Sequence, residues 1–459
     1  MVEVAARVGN SCEVLSMKQK KLSFLPFAAV IIIFASLLAA LLSQREALPG
    51  NRIISLSFGL LAFSVVLTQV LISLRPKFLE RKIGLPAIYK THGKLAFGLI
   101  LASIVHAAIM EVTKGNETAL TIAGLSGSLS LLILLLVSLT GMFVLSSSYI
   151  SKFPFVKRLK IHTLKRETGL WIHRLSKLAV LVIFAHMMLT EYIRANPVLF
   201  ALSILYVALV MGAVLTTRVA RQRLPKYVLQ NCVQTNEKVF ELEFMLPKGT
   251  IMSYQAGQFV FIRFLVSDVP DESHPFSISS APTQGGSIKV LIKNCGDYTS
   301  TMKLLKKGDI ATLEGPYGNF ADERIANANT PLVMLAGGIG ITPILSILRS
   351  QMVTQPTRRI VLVWALSQKN DLLMIDELQN MQQANPNFSY HITLSSEQVE
   401  DFDYGRISQD YLQRIKVNTL YSEADFYICG PPPMMSVVKS IILDNQVKPE
   451  NIHVEEFSF

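Results

Sequence analysis

The chain has 459 residues, half of them hydrophobic and 17% charged, with a formal net charge of +11. It is too long for one ordinary domain and too apolar for a wholly water-soluble protein, so part of it belongs in lipid. The basic surplus lies largely in short loops beside apolar runs, which gives the charge a membrane role and removes any need for a nucleic-acid partner.

Residues 1–21 read as a basic N-terminal segment and residues 22–217 as a membrane α-helical bundle of six spans. Uncharged runs cover 22–44, 53–74, 118–151 and 195–217, and each is longer than the roughly 20 residues a span requires. The first is long and lacks a convincing cleavage site, so it reads as a span rather than a removable signal peptide. Two weaker spans complete the set: 91–110 contains Lys94, and 170–190 contains Arg174 and Lys177.

Short loops on one side hold Lys18, Lys20, Lys21, Arg75, Lys77, Arg81, Lys82 and Lys90, the run from Lys152 to Arg166, and Arg218 to Lys226. The other side holds only Arg45, Arg52, Lys114 and Arg194. Cations gather on the inner side of membranes, so both termini are expected in the cytoplasm of a multi-pass plasma- or cytoplasmic-membrane protein.

The two weaker spans carry His92 with His106, and His173 with His186. An imidazole in hydrocarbon is costly without a partner, so two similar pairs ask for one explanation, and axial ligation of two stacked haems supplies it. Fourteen residues rise about 21 Å and return to nearly the same helix face, which suits His92 and His106. His173 and His186 are thirteen apart, about 140° out of register on an ideal helix, and need an overwound or kinked turn or haems met at different angles. Because these spans run in the same direction, His92 pairs with His173 at an inner site and His106 with His186 at an outer one. Lys94, Arg174 and Lys177 either neutralise haem propionates or snorkel to the interface. Gly93 and Gly98 offer close approach for a flat macrocycle.

Residues 218–226 read as a linker. Residues 227–328 carry short alternating runs, at 226–246, 257–266, 274–280 and 287–294, that suggest a small antiparallel β-barrel. From 329 to 459 buried apolar runs at 332–336, 360–365, 390–394 and 426–429 alternate with helical stretches, the pattern of a parallel α/β nucleotide-binding sheet. Cys12, Cys232, Cys295 and Cys429 are scattered without a CxxC spacing, so no iron–sulfur cluster, zinc site or structural disulfide is expected.

Three motifs stand in this half: HisProPheSerIleSerSer at 274–280, GlyGlyIleGlyIleThrPro at 337–343 and CysGlyProProProMet at 429–434. They resemble the flavin and nicotinamide signatures of the ferredoxin-NADP reductase superfamily. With six spans and four histidines ahead of them, residues 53–459 resemble the NADPH oxidase and ferric reductase superfamily.

The resemblance implies FAD, NADPH (with NADH as the other candidate) and two b-type haems. It places His274, Pro275, Phe276 and Ser277 at the isoalloxazine, with the Ser277 hydroxyl toward N5. Lys293, Gly296, Asp297 and Thr299 match the flavin-pyrophosphate motif, where a helix start presents donors to phosphate. Gly315, Pro316, Tyr317 and Gly318 either close that side of the barrel or form an ordinary hairpin turn.

Gly337, Gly338, Gly340, Thr342 and Pro343 would cradle the dinucleotide phosphates. Cys429, with Gly430 and Pro431, would lie beside the nicotinamide, unless Cys429 is simply a buried strand-end thiol. Phe459 would gate the flavin face, the other reading being packing on the sheet edge. Arg406, with Ser395 and Lys369, is the candidate for a 2′-phosphate.

The expected activity is electron transfer from cytosolic NAD(P)H through FAD and the haems to O2 or a ferric chelate across the bilayer, with no accessory protein identified. The alternative is a membrane donor subunit serving a partner protein or quinone. A transporter with a regulatory nucleotide domain would bind no haem.

Overall fold

The computed structural model describes residues 24–44, 46, 48–113, 122–145, 169, 172–247, 252–282, 286–321, 325 and 330–456. Cys12, His162, the basic run 152–166 and Phe459 lie outside the described residues. The chain divides into two compact units between Ala220 and Arg221. The expected linker at 218–226 is largely helix, because nothing before Pro225 breaks a helix and the sixth span continues to Gln222.

In the first unit the spans are α1 (Leu25–Leu42), α2 (Gly50–Ser73), α3 (Leu85–Thr113), α4 (Ile122–Leu145), α5 (Ser176–Leu189) and α6 (Pro197–Gln222). Among the described residues these are the helices long and apolar enough to cross a membrane, α5 counting from Ile172. Pro26 and Pro197 stand at helix starts, where a missing N–H costs nothing. Asn196 accepts a hydrogen bond from the Leu199 amide at 3.0 Å and donates to the Ala40 carbonyl at 2.6 Å, so it caps α6 and ties it to the end of α1. The buried hydroxyls of Ser64 and Thr68 on α2 donate to their own helix, at Leu60 and Ser64, and so need no partner in lipid.

The thirteen-residue histidine spacing meets its irregularity at Leu175. There the amide donates to the carbonyl of Ile172, three residues back, and the Leu178 amide donates to Leu175 in the same way. Three-residue bonds overwind the chain relative to an α-helix and recover part of the angular offset.

In the second unit the first sheet holds β1 (Lys226–Asn236), β2 (Val239–Met245), β3 (Phe259–Phe264), β4 (His274–Ser277), β5 (Ser287–Lys293) and β6 (Ile310–Tyr317). It is antiparallel, in the order β4-β3-β6-β1-β2-β5. A barrel was expected. The ladder instead ends at β4 and β5, with one isolated bridge between Ile278 and Val290. Phe240, Leu242 and Phe244 alternate inward on β2, as a half-buried strand requires. The GlyProTyr stretch is not a hairpin turn, because Gly315–Tyr317 is the end of β6, with Tyr317 opposite Phe259 on β3.

The second sheet is parallel, in the order β10-β9-β8-β7-β11-β12. Its strands are β7 (Leu332–Gly337), β8 (Ile360–Leu366), β9 (Phe388–Leu394), β10 (Asp403–Tyr404), β11 (Asp425–Cys429) and β12 (Ile452–Glu455). Helices α7 (Ile341–Thr354) and α8 (Ile375–Ala384) join β7 to β8 and β8 to β9, while α9 (Pro432–Asp444) follows β11. Every residue of β7 is buried, with Leu332, Met334 and Ala336 in one core and Val333 and Leu335 in the other. Burial on both faces explains the continuous apolar runs. Successive strands leave β7 toward one edge, and β11 returns on its other side, so the topological switch point lies between β7 and β11.

Candidate functional site

The membrane unit brings the four histidines together in two pairs. The rings of His92 and His173 lie 5.9 Å apart between centroids at 77°, and those of His106 and His186 lie 6.4 Å apart at 69°. His106 Nδ1 is 2.8 Å from the Ser55 carbonyl, His186 Nδ1 3.1 Å from that of Ala123, and His173 Nδ1 3.2 Å from that of Val137. A carbonyl oxygen only accepts, so each Nδ1 carries the proton and Nε2 keeps its lone pair. The Ser55 and Ser126 hydroxyls stand 3.1 Å from the same nitrogens of His106 and His186. Gln69 Nε2 donates to the His92 carbonyl at 3.2 Å.

Lys94, Arg174 and Lys177 are exposed, in keeping with either role considered for them. Gly93 and Gly98 have open space beside them, and other glycines contact the histidines. Nothing lies within 4 Å of a side chain built at Gly93 or Gly98, whereas Gly59, Gly127 and Gly141 lie directly against His106, His186 and His173. The signal was present in the sequence, since Gly127 and Gly141 repeat the fourteen-residue spacing of His92 and His106.

In the other unit, β4 sets His274, Pro275, Phe276 and Ser277 in a row, the first three half-buried and Ser277 6% exposed. His274 stacks on Tyr298 at 3.7 Å and its Nε2 lies 2.9 Å from Glu272. Burial, with Glu272 and Asp271 nearby, pushes the Tyr298 phenol far above its ordinary range. Lys293 ends β5, and Gly296, Asp297 and Thr299 stand at the short helix Asp297–Ser300. The Thr299 hydroxyl accepts from the amides of Cys295 and Gly296 at 2.9 and 3.0 Å, so those two donors serve the turn itself.

At the switch point the backbones of β7 and β11 touch. A side chain on Gly340 would come within 2.3 Å of the Cys429 carbonyl, and one on Gly337 within 2.7 Å of Pro431. Gly430 is held against Gly337 from the other strand, and Gly338 has a positive φ of 52°. The next turn opens α7, the kind of helix start that suits a phosphate. The Thr342 hydroxyl donates to the Ile339 carbonyl at 2.8 Å, and Pro343 is buried beside it, so both shape the turn. Cys429 is fully buried, and burial, with Glu455 opposite, pushes its thiol well above the usual range. Ser395, Lys369 and Arg406 are all exposed and follow the carboxyl ends of β9, β8 and β10, with Lys369 Nζ 5.9 Å over the Phe402 ring.

Two positioning residues were not read from the sequence. Arg349 on α7 donates to the Ser279 carbonyl at 2.8 Å, and Ser346 donates to the Ser280 carbonyl at 2.6 Å. Together they join the Ser277 segment to the helix that follows the glycine turn.

Residues 226–321 match the family model described as FAD-binding domain, and residues 334–440 match that of the oxidoreductase NAD-binding domain. Residues 226–440 are thus a ferredoxin-NADP reductase-like module. Six apolar helices ahead of the module are consistent with the ferric-reductase-like fusion that the motifs resemble.

Among curated proteins, the module's region is 28% identical over 232 residues to the toluate 1,2-dioxygenase electron transfer component of Pseudomonas putida. That match covers 50% of this chain and 66% of the relative. It is 26% identical to one component of the Na(+)-translocating NADH-quinone reductase of Idiomarina loihiensis (49% and 66% covered), and 28% identical to a flavohemoprotein of Rhizobium meliloti (46% and 54%). The chain thus spans less than two thirds of these relatives. The solved FAD/NAD-binding domain of a Vibrio cholerae nitric oxide dioxygenase aligns at 21% identity with a TM-score of 0.45, over 51% of this chain and 98% of that one.

Proposed function

We propose that the chain is a transmembrane oxidoreductase that takes electrons from NAD(P)H, passes them through FAD and two b-type haems, and delivers them to O2 or a ferric chelate across the bilayer. The observation that carries this reading is the pairing of the histidines in front of a flavin and nicotinamide module. Two imidazoles sharing one metal from opposite sides, each nitrogen about 2.0–2.1 Å from it and about 1.1–1.2 Å from its ring centre, would put the centroids roughly 6.2–6.6 Å apart. The His106–His186 pair at 6.4 Å falls within that span and the His92–His173 pair at 5.9 Å lies a few tenths of an ångström inside it, with Nε2 available on His106, His173 and His186. Among the described residues no group of three or more His, Cys, Asp or Glu side chains converges as a metal cage, and a two-histidine axial site needs none.

FAD would supply the change from paired to single electrons, and haem would supply one-electron relay. The chain's own residues set the order. Gly337, Gly338 and Gly340 leave room for a dinucleotide against the backbone. Ser277, buried at the end of β4, would offer its hydroxyl to the flavin edge, and Cys429, buried at the end of β11, would stand on the nicotinamide side as a protonated thiol. His92 and His173 would hold the inner haem, and His106 and His186 the outer one. The cation asymmetry of the loops supports a cytoplasmic NAD(P)H module.

The test is the visible spectrum of the purified full chain, reduced anaerobically with NADPH or NADH, then mixed with air-saturated buffer or a ferric chelate. Haem bands that form and reduce are the expected result; faster reoxidation by air marks an oxidase and by chelate a ferric reductase. A yellow protein without a Soret band overturns the reading.

A second reading is favoured by the names of two relatives, an electron transfer component of a dioxygenase and a component of a quinone reductase. A donor subunit of this kind would reoxidise slowly with both small acceptors and rapidly with a quinone or protein partner.

A further inference from the structure

Three of the four histidines share one local arrangement. His106 packs on Gly59 and bonds the carbonyl of Ser55; His186 packs on Gly127 and bonds that of Ala123; His173 packs on Gly141 and bonds that of Val137. In each case the carbonyl belongs to the residue four before the glycine. In an α-helix that oxygen already accepts the glycine's own amide, and the glycine's side-chain position lies just above it.

A β-carbon there would stand 3.1 Å from the His106 ring, 2.9 Å from His186 and 2.7 Å from His173. The distances at Gly127 and Gly141 are too short for carbon against a ring, so an alanine would push His186 and His173 off their carbonyls, while the tight contact at Gly59 would displace His106 by a few tenths of an ångström. With glycine, the oxygen takes a second donor from the facing helix.

We propose that Gly59, Gly127 and Gly141 are positioning residues for the haem ligands: each opens its helix so that the carbonyl four residues earlier fixes the tautomer and direction of a facing histidine. This rests on the haem reading above. The contact is selective, because Gly59 and Gly127 act on the His106–His186 pair while Gly141 acts on the His92–His173 pair. Buried acceptors on a metal-ligating imidazole raise its basicity and orient its ring, and their loss costs about 10- to 100-fold in metal affinity.

The experiment compares the full-length wild type with Gly59→Ala, Gly127→Ala, Gly141→Ala and Gly212→Ala, the last on α6 where nothing lies within 4 Å. Haem content, the ferric low-spin electron paramagnetic resonance signals and the two-component reductive titration are read on each. Gly59→Ala and Gly127→Ala should shift or deplete the same one of two haems, with about 10- to 100-fold weaker retention. Gly141→Ala should affect the other, and Gly212→Ala neither. Alanine favours helix over glycine, so general loss of helicity predicts none of this.

Ser126→Ala removes the hydroxyl 3.1 Å from His186 Nδ1 without adding bulk, and should move the same component as Gly127→Ala. Unmoved signals in the three glycine variants, both haems shifting together, or an inert Ser126→Ala would overturn the proposal while leaving the haems in place. A wild type without haem overturns it together with the reading on which it rests.

Discussion

Arg349 grips Glu377 with a two-pronged hydrogen bond, Nε and Nη2 each 2.7 Å from a carboxylate oxygen, while its Nη1 reaches the Ser279 carbonyl. Arg349 is 7% exposed and sits on α7, the helix opened by the glycine turn; Ser279 follows Ser277 by two residues. One guanidinium therefore sets the distance between the flavin strand and the nicotinamide crevice. The fork geometry suits arginine and not lysine.

Arg349→Met is expected to destabilise the module by about 2–3 kcal/mol, the cost of losing hydrogen bonds to a charged group and leaving Glu377 and a buried carbonyl unpaired. Arg349→Lys should recover little of it. Denaturant unfolding followed by flavin release checks the size, and flavin reduction by NADPH should slow in both variants.

Gly340→Ala tests the close approach of β7 and β11. The added carbon would lie 2.3 Å from the Cys429 carbonyl, which is backbone and cannot swing away. Strands must separate, at a cost of about 1–3 kcal/mol. Flavin should still bind to the antiparallel sheet, while NAD(P)H-driven flavin reduction is lost, a separation that spectral titration and stopped-flow reduction can measure.

Much of this was legible in the sequence. The length of the apolar runs located the six long apolar helices, and the alternation of apolar runs located the two sheets, because both patterns are local. The histidine partners followed from the parallel course of α3 and α5. What was not legible depends on contacts between distant segments. Glycine gives no hint of which neighbour it admits, so the contacts of Gly59, Gly127 and Gly141 with the histidines were not foreseen. Strand β6 was missed because its GlyProTyr end carries turn residues, and the open ladder between β4 and β5 depends on pairing that periodicity does not encode. Arg349 stood inside an apolar helix with nothing to mark its partners.

Ser277→Ala should leave stability nearly unchanged and slow flavin reduction by about tenfold, the worth of one hydrogen bond of about 1–1.5 kcal/mol realised at the reacting edge. Ser277 is 6% exposed at a strand end, and removing one oxygen takes away little packing. Rapid-mixing measurement at saturating NADPH isolates that step. A rate equal to wild type would remove Ser277 from the hydride path.

Buried acids make the module sensitive to alkali. Burial, then Glu455, raises the Cys429 thiol well above its ordinary value, and burial with neighbouring carboxylates raises the phenols of Tyr298 and Tyr411. Each group keeps its proton in the folded state over a range where the unfolded chain has lost it. The folded state then binds more protons, and stability falls as pH rises. For Cys429 the fall begins near the unfolded thiol value of about 8.5 and proceeds at about 1.4 kcal/mol per pH unit; the tyrosines add theirs above about 10. Below pH 8 the contribution is constant. Unfolding midpoints taken from pH 7 to 11 should show this two-stage decline, with the first stage absent in Cys429→Ala. In the native protein at pH 8, a thiol reagent should label exposed Cys295 and spare Cys429 until denaturant is added, as peptide mass spectrometry can show.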